Sequence, residues 1–213
     1  MSGAFWDRVS GLYDLAERTN RTALTGMIAA IQRRVRPGSK ILECAAGTGE
    51  ISLALAAHSS PHDVLCTDLS SSMLRRAEQK ARKRRLNRIR FALRDLFQLD
   101  DRDESFDVVI AANVLHLLKR PEQAVRELWR VVRPGGLLIL PTFLTGEASL
   151  GYRVLLKGYQ LLGYRDYHHF RSAGYRRFLH GSLAQPVDYE RIEGRLPIGL
   201  AAIQKPGLPE GER

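Results

Sequence analysis

Apolar residues in this chain fall into two alternating patterns. Short, nearly continuous runs occur at Ile41-Leu42, Val64-Leu65-Cys66, Phe106 to Ala112 and Leu137 to Leu140. Runs of that kind mark buried parallel strands. Between them the spacing is helical: Met73, Leu74, Ala77 and Ala81 share one face, as do Ala124, Val125, Leu128 and Val132. Ser70 is placed to cap the first of these helices, and Pro121 suits the first turn of the second, which should end before Pro134-Gly135-Gly136. Phe5, Trp6, Val9, Leu12, Tyr13 and Ala16 also recur at helical spacing, predicting amphipathic helices in the first 35 residues. Strands that alternate with helices in this way predict an α/β fold with a doubly wound sheet.

The strand ends carry the chemistry. The first strand closes on Glu43 and passes through Cys44-Ala45-Ala46-Gly47-Thr48-Gly49 into a helix, with Gly47 and Gly49 where backbone must approach a ligand or take positive φ. A dinucleotide fingerprint would need a third glycine at the position of Ser52, and no Gly-Lys-Ser or Gly-Lys-Thr follows to form a phosphate loop. A first strand ending on an acid, with glycines after it, suits a ligand with a positively charged amino-acid end, such as S-adenosylmethionine (SAM). Asp68 ends the second strand 25 residues after Glu43 and is the candidate for the ribose hydroxyls. Asp95 ends a third strand read from Arg90 and is the candidate for the adenine amine, with Leu69, Met73 and Leu96 covering the ring. The fourth strand delivers Asn113 and His116 to the same edge, Asn113 as a cofactor-side contact.

Taken together, Glu43 to Gly49, Asp68-Leu69-Ser70, Asp95-Leu96, Ser105-Phe106-Asp107 leading to Asn113, and Arg130 to Gly136 resemble the class I SAM-dependent methyltransferases over roughly residues 5 to 204. The resemblance is to the small-molecule kind related to the ubiquinone and menaquinone methylating enzymes. It implies a Rossmann-like seven-stranded sheet, mostly parallel, closed by a C-terminal antiparallel hairpin over Val187 to Ile192 and Ile198 to Ile203. It implies a helical lid over residues 1–35, in which Leu12-Tyr13-Asp14 looks like the segment that closes over SAM and sets Tyr13 near the methionine end. Where the family has glycine this chain has Ala45, which adds a methyl beside the ligand and is unstrained only if φ is negative. The implied activity is methyl transfer from SAM to a small-molecule acceptor, leaving S-adenosylhomocysteine. His116 is the candidate general base, since neutral imidazole can take a proton near pH 7. Residues 146–180, with five of the seven tyrosines and His168-His169-Phe170, form the expected acceptor-side insertion. The cofactor motifs specify neither the acceptor nor an oligomeric state.

Composition fits a single domain over residues 1–204, followed by a flexible tail at 205–213. Cys44 and Cys66 read as buried thiols on neighbouring strands, no metal cluster is visible, and no apolar run is long enough to span a bilayer, so a cytoplasmic protein is expected. The net charge of +10 is concentrated, since residues 75–90 hold nine Lys or Arg against Glu78 alone. That stretch reads as a solvated helix face or as a contact with an anionic surface. Nucleic acid is not the expected substrate: an amino-methylating enzyme would show Asn or Asp before Pro-Pro and an aromatic after strand four, where this chain has Asn113-Val114-Leu115-His116. The alternatives are a methyltransferase for a macromolecule or phospholipid headgroup docked on the basic face, and a SAM-fold protein that binds without chemistry.

Overall fold

The computed structural model describes Asp7, residues 20–58, 62–149, Gly151 and residues 165–207. Tyr13, most of the expected lid, the centre of the expected insertion and the end of the tail lie outside these residues.

In chain order the elements are α1 (Arg21–Gln32), β1 (Lys40–Cys44), α2 (Glu50–Ala56), β2 (Asp63–Asp68), α3 (Ser71–Lys83), β3 (Ile89–Leu93), β4 (Phe106–Ala111), α4 (Pro121–Val131), β5 (Val132–Phe143), α5 (Ser172–Leu183), β6 (Asp188–Ile192) and β7 (Ile198–Gln204). Single 3₁₀ turns follow β4 at Leu115–Leu117 and β5 at Thr145–Glu147. The seven strands form one sheet in the order β3-β2-β1-β4-β5-β7-β6. Strands β1 to β5 pair in parallel, and β7 runs antiparallel to both β5 and β6, giving the expected hairpin.

Strand alternation sorts side chains onto two faces. Ile41, Val64, Cys66, Val108 and Ile110 pack with α1, α2 and α3, while Leu42, Val109, Leu138 and Leu140 pack with α4 and α5. Cys44 and Cys66 are buried free thiols, and burial raises both, Cys44 to about 12. At the far edge, Arg33 and Arg34 pair with Glu190 and Asp188, tying α1 to β6.

Two expectations change. Strand five begins at Val132 instead of Leu137, because α4 runs straight into it and the register shift between Phe106 and Val108 absorbs the Pro134-Gly135-Gly136 turn, with Gly135 at φ 72°. A Cβ on Gly136 would sit 2.8 Å from the Arg133 carbonyl oxygen, so backbone passes too closely there for a side chain. The second change concerns residues 172–180, which belong to α5, the crossover helix between β5 and β6, and not to an insertion. Only Tyr175 and Leu179 of α5 are buried, and the Tyr175 hydroxyl donates to the Leu140 carbonyl at 2.8 Å.

Candidate active site

The parallel strands all end at one edge, and the loops that leave them enclose a cavity of about 350 Å³. Ala45, Gly47, Asp68, Leu69, Met73, Asp95, Leu96 and Asn113, all singled out from sequence, line it. The turn after β1 reaches the cavity through left-handed backbone at Ala45 (φ 52°), Gly47 (57°) and Gly49 (80°). The negative φ that would leave Ala45 unstrained is therefore not adopted.

Asp68 is 8% exposed and already engaged on both oxygens: Gly47 N–H donates to Oδ2 and Ser70 N–H to Oδ1, each at 2.8 Å. Burial raises its pKa, and these backbone donors oppose the rise. Ser70 caps α3 by accepting from Met73 N–H at 3.2 Å. Its hydroxyl donates at 2.6 Å to Asp7, which also accepts from the Ser72 N–H and hydroxyl. Those bonds lower the Asp7 pKa and hold the Asp7 carboxylate against the start of α3. Asp95 lies beyond β3 in a turn, where its Oδ1 accepts from Phe97 N–H at 2.9 Å. Across the cavity, Asn113 has φ 52° and donates its N–H to the Pro141 carbonyl. Its Oδ1 is buried with no hydrogen-bond partner among the described residues.

Three sequence candidates do not face the cavity. Glu43 is 2% exposed and accepts from the Ser52 N–H at 2.8 Å and from the Ser52 hydroxyl. It shares the Ile41 face of β1, where α2 begins, so its carboxylate satisfies an orphan donor of the first turn. Gly49 is a packing glycine, since a Cβ there would meet the Ala77 methyl at 2.9 Å. His116 lies in the 3₁₀ turn after β4, 1% exposed, with Nδ1 3.2 Å from the Thr142 hydroxyl and its ring edge-on to Phe143. Burial depresses its pKa to about 3, helped by His168 and His169, so it is a neutral packed imidazole and a poor proton acceptor. Sequence reading also passed over Arg94, Phe97, Lys119 and Arg120, which line the cavity from the loops after β3 and β4. Their only signal was position, just beyond a parallel strand's carboxyl end.

The donor set suits an adenosyl ligand. Asp68 ends β2 and Asp95 sits in the turn just beyond β3, apolar Leu69, Met73, Leu96 and Phe97 flank them, and the unsatisfied amide oxygen of Asn113 lies just beyond β4. Residues 42–140 match the family model described as a methyltransferase domain. The chain is 37% identical over 166 residues to the demethylmenaquinone methyltransferase of Clavibacter sepedonicus, covering 72% of this chain and 64% of that protein. It is 30% identical over 185 residues to a ubiquinone/menaquinone biosynthesis C-methyltransferase of Burkholderia mallei, covering 84% and 74%. Against several other curated relatives it spans about half their length. A SAM-dependent methyltransferase of Thermotoga maritima has the same fold, with a TM-score of 0.71 over 95% of this chain and 99% of that one at 16% identity.

Proposed function

Because this chain belongs to the class I SAM-dependent methyltransferases, we propose that it transfers the SAM methyl group to a small-molecule acceptor. One observation carries this reading: two strand-end carboxylates and an unsatisfied buried amide oxygen converge on one cavity. Asp68 receives the ribose hydroxyls and Asp95 the adenine amine, with Leu69, Met73 and Leu96 against the ring. Asn113 Oδ1 accepts from the ammonium of the amino-acid end, beside Ala45 and Gly47. When bound, the cofactor supplies an electrophilic methyl on a sulfonium whose departure leaves a neutral thioether. The chain's own task is to align the acceptor and exclude water, and alignment alone can lower a barrier by about 7–11 kcal/mol. The names of the relatives, which refer to quinone precursors, support an acceptor of that size.

The basic stretch 75–90 serves as a contact with an anionic surface. Several of its cations are already paired: Lys80 and Arg84 with Glu50, Arg82 with Glu78, and Arg88 with Asp63. Lys83, Arg85 and Arg90 are exposed and make no ion pair among the described residues. Leu93, 61% exposed at the end of β3, and Phe97 add apolar side chains near the cavity mouth.

Calorimetric titration with SAM and S-adenosylhomocysteine tests the main reading. Binding that Asp68→Asn weakens by about 1–3 kcal/mol, the cost of losing a charged hydrogen-bonding partner, supports it. Absence of binding to either ligand overturns it.

A further inference from the structure

Asp95, Leu96 and Phe97 sit in the loop between β3 and β4, outside any helix or strand, yet that loop is pinned at both ends. At its start the Arg94 N–H donates to the Asp68 carbonyl at 3.0 Å. The Arg94 guanidinium pairs with the Asp101 carboxylate, which joins the two ends of residues 94–101. Between them, Phe97 N–H donates to the Asp95 carboxylate and Gln98 N–H to the Asp95 carbonyl, at 2.9 and 3.1 Å. Leu99 then turns inward and is buried in the core layer shared with α4.

Both backbone groups of Leu99 are taken by α4. Its N–H donates to Glu127 Oε1 at 2.7 Å, and its carbonyl accepts from Arg130 Nη2 at 2.9 Å. Arg130 Nη1 donates to the Asp101 carbonyl at 2.8 Å and to the Asp103 carboxylate at 2.6 Å. The same guanidinium grips Glu127 through Nε and Nη2, at 3.0 and 2.8 Å. Arg130 holds the Glu127 carboxyl below its ordinary value, against burial, and the Leu99 N–H adds to the effect. The pair is therefore ionised at neutral pH. It also answers the charge of the loop, where Asp100, Asp101, Asp103 and Glu104 stand against Arg102 alone and would repel one another without cations from outside. Neither Glu127 nor Arg130 is among the described residues that line the cavity, so the pair can reach a ligand only through the loop.

That connection matters because Asp95 is exposed. A carboxylate on a loose turn can swing into water, and it then meets an amine or a carbonyl with little preference. Held in place, it accepts from an amine and opposes the lone pairs of a carbonyl, which leaves both groups unpaired. We propose that the Glu127–Arg130 pair positions the loop so that Asp95 distinguishes adenine from a purine lacking the amine. This inference rests on the cofactor reading above, and both residues are positioning residues.

Calorimetric titration with S-adenosylhomocysteine and with S-inosylhomocysteine, in which a carbonyl replaces the adenine amine, tests it. The parent protein should favour the adenosyl ligand by about tenfold or more. Arg130→Met should bring the two affinities to within about threefold of each other. Arg130→Lys, which keeps a cationic donor for one of the loop carbonyls, should fall between them. Glu127→Gln should move the ratio in the same direction as Arg130→Met, and it decides the matter alone should Arg130→Met fail to fold. A pair that only stabilised the fold would lower both affinities equally. A ratio unchanged from the parent's in these variants therefore overturns the proposal, and so does a parent protein that binds both ligands equally. Failure of the parent protein to bind S-adenosylhomocysteine overturns the cofactor reading instead.

Discussion

Ala45 holds φ at 52° with a methyl group that left-handed backbone does not favour. An L-residue there costs about 1–2 kcal/mol, and glycine returns about 0.5–1 kcal/mol of that through its freer unfolded chain. Ala45→Gly should therefore stabilise the protein by about 0.5–1 kcal/mol in urea denaturation; a loss of stability would mean that the methyl packs for more than its strain. His116 makes the opposite kind of statement. Its folded pKa, about 3, lies below the ordinary histidine value near 6.5, so the unfolded chain binds the extra proton. The stability it contributes is present above pH 6.5 and is lost progressively as pH falls toward 3. Between pH 7 and pH 5 that loss is about 2 kcal/mol. Denaturation of the parent protein and of His116→Gln at both pH values checks it, the variant showing the weaker dependence. Equal dependence in the two proteins would mean that the imidazole titrates freely.

At the scale of elements, the strands that form the cofactor edge were legible because an apolar run buried on both faces has few alternatives. The runs read at Val64–Asp68 and Phe106–Ala112 agree with β2 and β4 to within a residue at each end. Strand β5 was read short because Pro134-Gly135-Gly136 has the composition of a turn, and only pairing with β4 makes it a bulged strand. Helix α5 left no readable stripe, since only two of its side chains are buried and Gly174 and Gly181 interrupt it. The site divides in the same way. Acids at strand ends could be placed because parallel topology brings those ends together. The inward turn of Glu43 follows from a one-residue alternation that the sequence does not anchor to either face, and the loop residues Phe97, Lys119 and Arg120 follow no period at all.

Over the whole molecule, charge is distributed unevenly, and the most basic surface runs along α3 toward the free edge at β3. Among the described residues, no helix is long and apolar enough to cross a membrane. A peripheral contact would be governed by salt, because exposed charges more than a few ångströms apart are screened at high ionic strength. Sedimentation with vesicles of anionic phospholipid at low salt should carry the protein down. Neutral vesicles, or about 0.5 M salt, should leave it in solution. The triple substitution Lys83→Glu, Arg85→Glu and Arg90→Glu should abolish the sedimentation without changing affinity for S-adenosylhomocysteine. Equal sedimentation with neutral vesicles would assign the contact to Leu93 and Phe97 instead. The bonds that Asp68 makes to Gly47 and Ser70 bear on how such a surface and its cavity evolve together. Selection meets this codon twice, once for joining two loops of the fold and once for the ligand. Asp95 braces only its own turn, so in a lineage that exchanges one nucleotide ligand for another it is the carboxylate free to drift first.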